Sequence, residues 1–83
     1  MRKIDVRPAV LAFGITWAIV MLFIGWVAMF GWGTKVVDVL ASLYIGFAPT
    51  FIGGIIGAVW GFFDGAIGAA IFVLVYNAIA KER

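Results

Sequence analysis

The chain alternates between long apolar stretches and short polar breaks. The first stretch runs from Ala9 to Phe30 without a charge, and the second from Phe51 to Ala80 with one, Asp64. About 20 apolar residues suffice to cross the hydrocarbon core of a bilayer. Each stretch therefore predicts a transmembrane helix, over residues 9–30 and 51–80. Pro8 stands where a helix start tolerates proline. The first stretch is too long for the apolar core of a secretory signal, which runs to about 7–15 residues. At 1.5 Å per residue the second helix is about 45 Å long. It must tilt or project beyond a core of about 30 Å, most simply at its cytoplasmic end. Tyr76 and Asn77 are then expected at that interface, and Trp32 and Tyr44 near the other.

Between the stretches, Gly31-Trp32-Gly33-Thr34 reads as a turn with Thr34 as an N-cap, followed by a short helix over residues 35–45. Lys35, Asp38 and Ser42 recur at spacings of three and four and share one face. Val36, Val39, Leu40, Leu43 and Phe47 fall on the other side. That pattern suits an amphipathic helix at the membrane interface. Gly46 and Pro49 mark its end and the approach to the next helix. The fold class is thus an all-α membrane protein, a two-helix transmembrane hairpin with a short interfacial helix in its connection, forming a single domain.

Composition agrees. Of 83 residues, 66% are apolar and 12% charged, against about 25% charged in a soluble domain. The chain carries 4 Trp, 2 Tyr and 8 Phe. Arg2, Lys3 and Arg7 precede the first stretch and Lys81 and Arg83 follow the second, while Lys35 and Asp38 balance in the connection. The positive-inside rule places both termini in the cytoplasm, for a protein of the cell's inner membrane. The net charge of +2 describes topology and gives no basic face for nucleic acid. Without Cys or His there is no thiol chemistry, no thiolate or imidazole metal site and no usual axial ligand for a haem. No nucleophile–base pair, paired carboxylate or phosphate loop is present, so neither an enzyme nor a cofactor or metal site is expected.

Two features remain. Gly53, Gly57, Gly61 and Gly65 recur every fourth residue with Ala69 next, flanked by Gly54 and Gly68. Small residues at this spacing let membrane helices approach closely. The repeat reads as a packing face, a glycine zipper. The first helix has a small face of its own, with Gly14, Ala18, Gly25 and Ala28 around Met21. The two faces are expected to pack, with room for a second contact between copies or with another membrane subunit. Val73 is placed off the stripe. Asp64, 13 residues after Phe51 and 12 before Tyr76, is placed near mid-membrane within the stripe. A carboxylate there costs about 2.5–3.5 kcal/mol on insertion scales. It is a candidate proton or ion site; the structural alternative is a neutral carboxyl bonded across a helix interface. Thr16, Trp17 and Trp60 are the polar neighbours the sequence offers.

The segment from Gly46 to Asn77, above all Trp60-Gly61-Phe62-Phe63-Asp64-Gly65 and Val75-Tyr76-Asn77, resembles a family of small two-helix membrane proteins often labelled bacteriophage holin-like. Gly31-Trp32-Gly33-Thr34 and Ser42-Leu43-Tyr44 are similar as well, so the resemblance covers most of the chain. It implies a small self-associating membrane protein and suggests a pore or ion path built from several copies. The other reading is an accessory subunit docking through its glycine face onto a larger membrane complex. The proton-carrying ring subunits of rotary ATP synthases also pair a hairpin with one carboxylate, but there the glycine repeat lies in the other helix. The expected partners are the lipid bilayer and further copies or other membrane subunits.

Overall fold

The computed structural model describes residues 3–80. Arg2, Lys81 and Arg83, on which the orientation rests in part, lie outside them. Helix α1 spans Val6–Val27 and ends in a 3-10 turn, Ala28–Phe30. Helix α2 spans Thr34–Ala41 and helix α3 spans Phe51–Ile79. No strand occurs among the described residues. The expected two-helix hairpin with a short helix in its connection is present. Helix α1 starts three residues before the uncharged stretch because Pro8 sits within its first turn, where a missing N–H costs no hydrogen bond. Thr50 caps α3, its Oγ1 accepting from the Gly53 amide at 2.8 Å. Gly33, not Thr34, occupies the cap position of α2. Its φ of 73° is a left-handed conformation that a side chain disfavours.

Helices α1 and α3 run antiparallel. Gly25 faces Gly54 near the connecting end, Met21 faces Gly61, and Gly14 lies against Phe62 and Gly65. At the terminal end Asn77 clasps the backbone of Ile4: its amide nitrogen donates to the Ile4 carbonyl and its Oδ1 accepts from the Ile4 N–H, both at 2.9 Å. The molecule is 53 Å long and 19 Å across.

Much of the two long helices remains uncovered. Within their most apolar stretches only 17% and 22% of residues are buried in the hairpin, whereas the core helix of a soluble domain is mostly buried. Ile19, Phe23, Ile67, Ile71 and Phe72 are each about 60% exposed. A helix that is apolar all round and left open needs lipid or protein around it. The fold and surface thus define a class, a small helical hairpin with the length and outer face of a membrane protein.

The connection does more than cross between helices. After α2 the chain folds back along the hairpin. The Phe47 ring lies on Gly57 and against Gly25, and the Ile45 carbonyl accepts from Trp60 Nε1 at 2.9 Å. Tyr44 reaches Asp64, about 20 Å along α3 from its start. The chain then returns to Thr50 through Gly46, whose φ of 93° permits the reversal. Tyr44 and Phe47 are buried, in a cluster with Met21, Ala28 and Val37. The outward side chains of this segment are apolar: Val39, Leu43 and Ile45 are 68–76% exposed. Ser42 turns its hydroxyl back onto the Val39 carbonyl at 2.6 Å. Irregular backbone at membrane depth is tolerated where it packs on protein, and Tyr44 and Phe47 anchor this segment on the helix pair.

Candidate functional site: the Asp64 face

Helix α3 presents a continuous buried row: Gly53, Gly57, Gly61, Gly65, Ala69 and Val73. The sequence placed Val73 off this row. It is 2% exposed and continues it, since five steps of four residues drift only gradually around a helix. The row is used within the chain. A Cβ on Gly61 would stand 2.7 Å from Met21 Cγ and 3.1 Å from the Trp17 carbonyl. One on Gly65 would stand 2.7 Å from Trp17 Cβ, and one on Gly53 would meet the Ala48 carbonyl at 2.5 Å. On α1, Gly14 and Gly25 are buried and Ala18 is half-buried. A Cβ on Gly25 would lie 2.8 Å from the Gly54 Cα. Gly68 is different: it is exposed, and a Cβ there would meet nothing within 4 Å.

Asp64 lies at the edge of the row and is exposed on the outer surface, near the middle of α3. Its Oδ2 accepts a hydrogen bond from the Tyr44 hydroxyl. That hydroxyl in turn accepts from Trp17 Nε1 at 3.2 Å. Trp60 stacks on the Tyr44 ring with centroids 6.0 Å apart and planes at 10°. The phenol is the donor of that bond and the carboxyl its acceptor. One carboxyl thereby ties α1, the connecting segment and α3 together. Of the neighbours expected from sequence, Trp17 joins through Tyr44, Trp60 joins by stacking, and Thr16 is exposed on α1. Tyr44 itself was expected near the membrane surface as an interfacial aromatic. The fold-back, invisible to helical periodicity, carries it to the depth of Asp64. The one available signal was that Tyr44 is the connection's only side chain pairing a ring with a hydroxyl.

Tyr44→Phe removes the hydroxyl and leaves the ring. We expect a loss of about 0.5–1.5 kcal/mol in hairpin stability. The loss should come with a changed emission from Trp17 and Trp60, both read in mixed-micelle denaturant titrations. Unchanged stability and emission would show that the hydroxyl does not hold the return segment in place.

Below the Tyr44–Asp64 pair, on the same face, α1 and α3 enclose an open groove of about 520 Å³. Phe13 and Trp17 line one side, and Gly68, Phe72 and Val73 the other, with Asp64 at its head. No group of three or more Asp or Glu residues able to hold a metal occurs among the described residues. Comparison with family models, with curated proteins and with solved structures gives no match to this chain.

Proposed function

We propose that this is a small self-associating protein of the inner membrane, holin-like, whose copies gather around Asp64 to line a pore or ion path. The observation that carries this reading is the exposure of a carboxyl halfway along α3 on an otherwise apolar surface. Left facing lipid it costs about 2.5–3.5 kcal/mol. Between Arg7 and Lys81 the only cation is Lys35, in the connection at the far end of the hairpin. A second chain or water is what relieves this cost. A single hairpin 19 Å across has no lumen, so a path requires at least two copies meeting at Asp64. The glycine row is occupied within each hairpin and leaves the Asp64 face as the surface for association.

Native mass measurement in mild detergent tests the assembly, and proton or cation flux in liposomes of the purified chain tests the path. Two or more copies with flux is the expected result. A single copy that binds a larger membrane complex and conducts nothing would replace this reading with that of an accessory subunit.

Both termini are assigned to the cytoplasm, from the basic residues that flank the two long helices and the balanced Lys35 and Asp38 between them. Reporter fusions at each end should be active only for the cytoplasmic enzyme. A C-terminal tag cleaved by protease added outside intact cells would reverse the orientation.

A further inference from the structure

We propose that the groove below Asp64 is the seat of a second copy of this chain. Two hairpins join there face to face about a two-fold axis along the membrane normal, and Asp64 meets Asp64. The inference rests on the self-association reading and names the surface it uses.

Three observations converge. The upper half of this face of the α1–α3 pair is filled by the protein's own return segment, through Tyr44 and Phe47, while the lower half is an empty groove of about 520 Å³. Gly68, on the groove, contributes nothing to the hairpin's own packing, since a Cβ there meets open space. Every glycine that is buried on α3 would collide with the protein's own atoms if a Cβ were added. Phe72 stands at the rim, 63% exposed. Asp64, Gly68 and Phe72 are spaced four apart, so they form one stripe on one face.

The occupant follows from depth. Copies inserted in the same orientation present each residue to residues at its own level in the bilayer. At the level of Asp64 those are Asp64, Tyr44 and Trp17 of the other copy, and no cation. A protonated carboxyl both donates and accepts, so two of them, or one with a carboxylate, satisfy each other across a two-fold axis. Lipid tails fill a groove but offer no partner to a carboxyl. Just over two turns below, the exposed Phe72 of each copy is level with the empty groove of the other. The same patch is therefore both knob and socket, as a self-complementary interface requires.

The chain contains no cysteine, so single introduced thiols report contacts cleanly. In proteoliposomes, Gly68→Cys should give a disulfide-linked dimer on oxidation with iodine. Leu74→Cys, about 9 Å further along α3 and about 240° around the helix from Gly68, should give several-fold less. Gly68→Leu should reduce the native mass from assembly to single hairpins while hairpin stability holds, because its side chain enters open space. Cross-linking at Leu74 equal to that at Gly68, or none at Gly68, would overturn the proposal. If native mass still shows several copies in that case, self-association stands and only this interface falls. A monomer by native mass defeats both.

Discussion

Gly61→Leu and Gly25→Leu are expected to force the two long helices apart and to lower the stability of the hairpin by about 1–3 kcal/mol or more, the usual penalty for overfilling a packed site. At Gly25 the obstacle is backbone, the Gly54 Cα 2.8 Å from an added Cβ. At Gly61 it is the Met21 side chain with the Trp17 carbonyl behind it. Backbone cannot rotate aside, so the helices must separate and lose the van der Waals contacts that hold membrane helices together. Gly57→Leu strikes a different part. Its Cβ would run into the Phe47 ring, so that change should release the return segment and leave the helix pair standing. Val59→Leu, at a residue 55% exposed, is the control and should stay within about 0.5 kcal/mol. Mixed-micelle denaturation followed by tryptophan emission measures all four. Equal losses in Gly61→Leu and Val59→Leu would remove the case for a close-approach interface.

At Asp64 the two substitutions are expected to part company. Asp64→Asn keeps the shape of the side chain and an oxygen to accept from Tyr44, so the return segment and assembly should survive. It cannot ionise, and flux through the assembled protein should fall to the level of empty liposomes. Asp64→Leu removes the acceptor and leaves the Tyr44 hydroxyl without its carboxyl partner, at a cost of about 1–3 kcal/mol for an unsatisfied buried group. Assembly and flux should both fail. Flux and native mass are to be read on the same preparations. Undiminished flux in Asp64→Asn would show that the carboxyl is structural and carries no ion. Undiminished assembly in Asp64→Leu would show that the carboxyl face is not where copies meet.

The two kinds of prediction draw on different information. The glycine row could be read directly, since Gly53, Gly57, Gly61 and Gly65 recur at the helical spacing and their burial follows from it. Its extent was misjudged by one residue type: Val73 is not small, yet it lies on the same line and is buried. The wheel also counted Gly68, flanking the row, with the packing face, where the structure leaves it exposed beside a groove. A helical wheel assumes that one direction faces the partner along the whole helix. Helices that cross at an angle turn different faces toward each other along their length.

By itself the sequence determined the hairpin. Two uncharged or singly charged stretches of membrane-spanning length leave the backbone no better way to pair its polar groups than a helix, and a short connection makes the helices antiparallel neighbours. It also determined that Asp64 sits deep and without a cation, because depth follows from position along a helix. What only the tertiary structure decided is the company that carboxyl keeps. Whether residues 42–50 lie across the end of the hairpin or fold back along it depends on whether Tyr44 and Phe47 find sites between α1 and α3. Those sites exist because Gly25 and Gly57 leave room for the Phe47 ring, and Trp17, Trp60 and Asp64 converge on Tyr44. Such sites form from residues far apart in the chain, which no local periodicity encodes.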